Sequence, residues 1–189
     1  MSTSIIIAVI IAAVFALMIV SLYNSLINNK NMVENAFAGI DVQLTKRYDL
    51  IPNLVSTVQK YMKHERETLT EITAMRARAV SGNLSDNEKV ALDNQISTAL
   101  SGIMIAVENY PDLKASQNFL QLQASLNEVE EQLSAARRAF NAMVTEYNNA
   151  VQMFPSNIMA SYMNLEERTW FEAPEVKKGD INVKELFDN

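Results

Sequence analysis

The residue types that most often do chemistry are scarce in this chain, and the one suggestive cluster is His64-Glu65-Arg66-Glu67-Thr68. It begins like a zinc-protease helix, where two histidines four residues apart hold the metal, but Thr68 stands where the second histidine is required. A di-iron bundle needs Glu-x-x-His on each of two helices, and the residue three before His64 is Tyr61. His64 is the only histidine and there is no cysteine, so thiol catalysis, thiolate metal sites and disulfides are excluded. A Ser-His-acid triad lacks a G-x-S-x-G elbow here, and there is no glycine-rich phosphate loop. The reading is no catalytic residue, no cofactor and no metal, with His64 an ordinary surface residue on a charged face.

Arg47 is the more informative charge. It falls between Leu44 and Ile51, at a spacing where an apolar residue is due. If it is buried it requires a partner, because an unpaired interior charge is very costly; Asp41, Asp49 or an acid on the long helix described below can serve. Alternatively Tyr48 takes the core slot and Arg47 extends its head to solvent. The sequence slightly favours the second arrangement, and both are architecture rather than a reactive centre. The ten methionines read as adaptable core filling.

The elements that position these residues read as helices throughout. Only 4 Gly and 4 Pro punctuate 189 residues, and they fall where helical patterns stop. Phe119, Leu122, Leu126, Val129, Leu133, Ala136, Phe140, Met143, Tyr147, Ala150 and Phe154 alternate spacings of three and four. Such a heptad keeps one stripe toward a partner only with left-handed, small-angle packing. Pro155 ends this segment, since proline lacks the backbone donor and clashes with the preceding turn.

Three earlier stripes are Val33 to Ile51, Leu54 to Ile72 and Leu92 to Val107. Pro52 separates the first two and can begin the second helix. Ser81-Gly82-Asn83 breaks the second from the third, and Ser85 with Glu88 has capping-box spacing. Short connections force antiparallel neighbours, so the fold class is all-α: an antiparallel four-helix-type bundle with long helices over 24–155, the fourth the longest, and an irregular C-terminal tail over 156–189. Ile158, Met159, Tyr162, Met163, Trp170 and Phe171 in that tail call for burial, over a bundle groove or on a neighbouring chain. Lys177 to Asn189 are charged and read as a loose end.

Ahead of the bundle, after a short N-terminus (1–4), lies an unbroken apolar run from Ile5 to Val20. Extended to Tyr23 it is a helix of about 28 Å, near the ~30 Å hydrocarbon core of a bilayer. No Lys or Arg precedes it and no prompt small-x-small site follows, so residues 5–23 read as an uncleaved transmembrane helix rather than a secretion signal. Lys30, Lys46 and Arg47 lie on its C-terminal side, which places the N-terminus outside and the bundle in the cytoplasm. Neither Gly nor Pro occurs between Tyr23 and Val33, so the span can run straight into the first bundle helix, although Asn24, Asn28, Asn29 and Asn31 weaken that continuity. With 22 acids against 16 Lys+Arg the net charge is -6, and the cations alternate with acids, which argues against nucleic-acid binding.

The stretch from Ile40 through Asp41, Arg47, Tyr48, Asp49, Pro52 and Asn53 to Val55 resembles the signature of the bacterial LemA family. Tyr147-Asn148 with Phe154-Pro155-Ser156-Asn157-Ile158 resembles its second motif, and Phe171-Glu172 its closing one. The chain departs from the pattern at Phe37, where Trp is expected, and at Tyr162-Met163-Asn164, where a Phe-rich turn is expected. The resemblance implies a single-pass protein of the bacterial inner membrane with a helical bundle and no known catalytic residues. A magnetosome-membrane branch of that family points to membrane organisation. A frequent neighbouring gene for a membrane metalloprotease points instead to an accessory or regulatory subunit in protein quality control. The structural or docking residues carried by these motifs are Asp41, Arg47, Asp49, Pro52, Asn53, Tyr147, Asn148, Phe154, Pro155, Asn157, Trp170 and Phe171. The function expected is a non-enzymatic scaffold that self-associates or docks a membrane-protein partner at the bilayer.

Overall fold

The computed structural model describes residues 2–171, and every regular element among them is a helix. The loose-end reading of Lys177 to Asn189, and Glu172 of the closing motif, lie outside the described residues. The first helix, α1, runs unbroken from Thr3 to Val58, 56 residues and about 84 Å. Its first part, through Ser21, is exposed on all sides, and from Leu26 onward one stripe is buried: Leu26, Val33, Ile40, Leu44, Arg47, Tyr48, Ile51, Leu54 and Val58. The asparagines after Tyr23 do not interrupt it. Each costs the helix up to about 0.7 kcal/mol relative to alanine, whereas burying a side chain such as Leu26 or Val33 contributes about 1.5–3 kcal/mol, so packing prevails.

Pro52 corrects one expectation. It lies inside α1 and begins no new helix. Proline in a helix interior removes the bond to the carbonyl four residues back and costs about 3 kcal/mol. That carbonyl belongs to Tyr48, and the Arg76 Nε–H on the next helix donates to it at 3.3 Å. With the freed acceptor satisfied and Ile51, Leu54 and Val58 all buried, the helix continues to a turn over residues 59–65 instead. The expected second helix is thereby divided: Leu54 and Val58 belong to α1, while Leu69 and Ile72 belong to α2, Arg66–Val80.

Gly82, at φ +77°, takes the left-handed conformation that turns the chain toward α3, Asp86–Val107. The Ser85–Glu88 capping box is formed with both reciprocal bonds. A one-turn helix, α4 (Pro111–Lys114), leads to α5, Gln117–Gln152, whose 36 residues make it second in length to α1. After a turn containing the cis Phe154–Pro155 peptide, α6 spans Ser156–Tyr162. It ends in a Schellman motif: Asn164 adopts positive φ, Leu165 N–H donates to the Ala160 carbonyl and Asn164 N–H to that of Ser161.

Cross-helix pairs fix the directions. Phe37 meets the Phe140 ring edge-on at 5.6 Å and Arg47 reaches Glu130, so α5 runs antiparallel to α1. Lys89 reaches Asp41 and Asp93 reaches Arg47, so α3 runs parallel to α1, with α2 antiparallel between them. One continuous core joins α1, α2, α3, α4 and α5, and Phe171 of the tail closes onto it.

Candidate functional site

Asp41, Arg47 and Asp49 tie α1 to each of the three other long helices. Asp41 takes Lys89 of α3 at 2.7 Å. Arg47, only 6% exposed, donates to Asp93 Oδ1 at 3.1 Å and to Ser97 Oγ at 2.8 Å, both on α3, and reaches Glu130 of α5 at 3.3 Å. Asp49 lies 3.8 Å from Arg76 of α2, the residue that also serves the Tyr48 carbonyl. Arg47 and Tyr48 are both buried, so the expected choice between them does not arise. Arg47 does not extend to solvent, and neither Asp41 nor Asp49 is its partner.

Asp93 is the centre of this network. It is wholly buried and accepts from Arg47 on one side and from Arg137 of α5 on the other. Arg137 also approaches Glu130 at 3.8 Å, so two guanidiniums and two carboxylates balance one another. Burial pushes the Asp93 carboxyl above its ordinary range, and the Arg47 and Arg137 charges oppose that push. Burial, together with the Asp93 charge, also raises the Tyr48 phenol. A charged group held this far from water is stable only while its partners are in place, so the cluster locks the relative position of three helices.

A second set of contacts fastens the tail. Asn148, buried, donates to the Arg168 carbonyl at 2.9 Å and accepts from Arg168 N–H at 2.9 Å. Two turns earlier Asn141 does the same for Phe171, at 3.0 and 2.8 Å. Each side-chain amide thus mimics a strand partner for the extended chain. Tyr147 Oη donates to the Glu166 carbonyl at 3.0 Å, Trp170 Nε1 donates to Thr145 Oγ1 at 3.0 Å, and Arg168 reaches Glu34 of α1 at 3.4 Å. Burial raises the Tyr147 phenol. The Phe171 ring lies under the Arg137 guanidinium at 4.7 Å, so this part of the tail covers one side of the ion cluster.

The motif residues divide accordingly. Asp41, Arg47 and Asp49 come together with α3, α5 and α2, and Tyr147, Asn148, Trp170 and Phe171 come together at the tail clamp. Pro52, Asn53 and Asn157 are exposed on the surface. Phe154, expected to complete the core stripe of α5, is 80% exposed, because that helix ends at Gln152 and the chain turns before Phe154 reaches the core; Val144 is buried instead. Pro155 is partly buried and heads α6. His64 is exposed. Among the described residues no group of three or more His, Asp or Glu side chains is placed to hold a metal ion. Sequence reasoning did not find Asp93, Arg137, Glu130, Arg76, Lys89 or Asn141.

The profile of the LemA family matches residues 36–184, which takes in the Asp41 ties, the ion cluster and the tail clamp. The chain belongs to the LemA family. Similar proteins include Protein LemA of Metamycoplasma hominis, 27% identical over 173 residues that cover 92% of this chain and 79% of that protein. Magnetosome protein MamQ 2 of Paramagnetospirillum magneticum is 19% identical over 96% of this chain and 76% of its own length. Magnetosome protein MamQ of Magnetospirillum gryphiswaldense is 24% identical over 95 residues, half of this chain. The LemA signature from Ile40 to Val55 is one uninterrupted stretch of α1, not divided between two helices at Pro52. Phe37, where the LemA pattern is expected to carry Trp, packs on Phe140 with Lys89 6.0 Å above its ring.

Proposed function

We propose that this LemA-family chain is a non-enzymatic scaffold, held at the bacterial inner membrane by residues 5–23 with the bundle on the cytoplasmic side, that docks a membrane-protein partner or further copies of itself. The observation that carries this reading is the use of the signature residues. The charged side chains at 41, 47 and 49 all pair between helices, and Arg47, the most deeply buried of them, spends its guanidinium on Asp93, Ser97 and Glu130, which leaves it no free face for a substrate. The exposed apolar run at the head of α1 has the length and composition of a membrane span, and the same unbroken helix carries the bundle. MamQ relatives are named as magnetosome proteins, which is consistent with work at a membrane.

Photo-crosslinking groups placed in the cell at Val42, Ile105 and Leu120, each an exposed apolar position of the bundle, test the docking. The reading expects discrete adducts with a second copy or with a membrane protein. It is contradicted if no position gives a protein adduct and native mass spectrometry in mild detergent finds only monomer.

A further inference from the structure

The end of the bundle nearest the apolar run of α1 carries a second apolar surface that the packing leaves uncovered. Met153, Phe154, Ile158 and Tyr162 are 60, 80, 66 and 85% exposed, four large side chains within ten residues. Ile158 and Tyr162 stand one helical turn apart on the outer face of α6, while Ala160 on the opposite face is fully buried. Elsewhere in the bundle exposed apolar residues such as Val42, Val80, Ile105 and Leu120 are scattered singly. Single exposed apolar residues need no explanation, but a cluster does.

Its position follows from the pairing of α1 with α5. Phe37 lies against Phe140 and Arg47 against Glu130, so a step along α1 is matched by an equal step back along α5. Continued to the end of α5, this register brings Gln152 level with about Ser25, two residues from Tyr23. α6 packs there on both α1 and α5, and Leu26 beside it is fully buried.

The charge pattern marks the same level from two directions. No Asp, Glu, Lys or Arg occurs in the first 29 residues, and none occurs between Glu146 and Glu166. Charges begin at Lys30 and Glu34 on α1, at Glu146 on α5, and at Glu166, Glu167 and Arg168 on the tail, and Arg168 meets Glu34. A ring of charge therefore surrounds the bundle just above an uncharged end made of the emerging α1, the Met153–Pro155 turn and α6. Tyr, Asn and Ser fill that end alongside the apolar residues, a composition suited to the boundary between acyl chains and headgroups.

We infer that α6 and the preceding turn form a foot that lies in the membrane interface, with Phe154, Ile158 and Tyr162 inserted among the lipids beside the point where α1 emerges. This rests on the reading of residues 5–23 as a membrane span. The foot adds a second lipid contact that fixes the tilt and rotation of the bundle against the bilayer, which a lone helix cannot do. Because the surrounding ring holds two cations, Lys30 and Arg168, against the acids Glu34, Glu146, Glu166 and Glu167, the contact is apolar rather than electrostatic and does not depend on anionic lipid.

The absence of cysteine permits single-site labelling of the full chain. An environment-sensitive fluorophore is attached after Phe15→Cys, Ser134→Cys, Ile158→Cys or Tyr162→Cys, and each product is reconstituted in phosphatidylcholine vesicles with or without phosphatidylglycerol. Lipids spin-labelled near the headgroup or deep in the chain serve as quenchers. The foot predicts blue-shifted emission at 158 and 162, quenched several-fold more by the shallow label than at 134, alike in both vesicle types, with position 15 quenched best by the deep label. If 15 is deep while 158 and 162 remain as aqueous as 134, the foot is overturned and the span stands. If 158 and 162 are blue-shifted but not quenched by lipid, a protein surface covers them and the foot is likewise overturned. If 15 is aqueous, the span and the foot both fail.

Discussion

At the residue scale the account turns on Asp93, which stands fully buried between two arginines. Replacing it with alanine leaves Arg47 and Arg137 to share one half-exposed carboxylate, Glu130. Asp93→Ala is therefore expected to destabilise the bundle by about 3–5 kcal/mol, the cost of stranding a buried charge. Glu130→Gln, at the solvent edge of the same cluster, is expected to cost less than about 1 kcal/mol. Chemical denaturation of the full chain in mild detergent checks both, and equal losses would contradict the arrangement.

Pro52 offers a second test, because its missing donor is replaced by Arg76. Pro52→Ala restores a backbone N–H to the Tyr48 carbonyl, so the cost of Arg76→Met, about 1 kcal/mol in the parent, should shrink in the Pro52→Ala background. Additive losses in this double-mutant cycle would show that Arg76 does not serve that carbonyl. Arg47 was legible as an oddity because it occupies a core spacing. Asp93 does too, three residues before Ile96, and Arg137 sits between Leu133 and Phe140 at four and three. Opposite charges at core spacing on three different helices are the signal that locates such a cluster. Arg47 considered alone points to Asp41, Asp49 or some acid on the long helix, which Glu130 is, and gives no sign of Asp93.

At the element scale the heptad of α5, the capping box and the turn at Gly82 were all legible, since each depends on residues close in sequence. The continuity of α1 through Pro52 was not, because the donor that permits it comes from residue 76. The bonds of the tail clamp were hidden for another reason: Asn141 and Asn148 hold the backbone of residues 168 and 171, and a backbone partner leaves no trace in residue type. The capping box makes a prediction in pH. Hydrogen bonds from the Ser85 hydroxyl and then the Ser85 N–H hold the Glu88 carboxyl below its ordinary value. A depressed carboxylate contributes stability that is present above its unfolded-state pKa and is lost as pH falls through the folded-state value. The stability gap between the parent and Ser85→Ala is therefore expected to be widest at neutral pH and to narrow through the acid limb of a denaturation series. A gap that is constant with pH would contradict the box.

At the scale of the whole molecule, the all-α class and the apolar helix ahead of a bundle could be read directly, because hydrophobic periodicity and punctuation by Gly and Pro are properties of the entire chain. What the span is joined to depended on a balance between asparagine propensity and the burial of Leu26 and Val33, and packing decided it. The scaffold reading also requires that junction: a bundle on a rigid mount presents its faces to partners at a fixed height and angle, whereas a bundle on a tether does not. Double electron–electron resonance between spin labels attached after Ser21→Cys and Lys46→Cys, in the full chain reconstituted in vesicles, measures the junction directly. An unbroken helix predicts one narrow distance distribution centred at about 38 Å; a broad distribution, or one centred well below that separation, would contradict it.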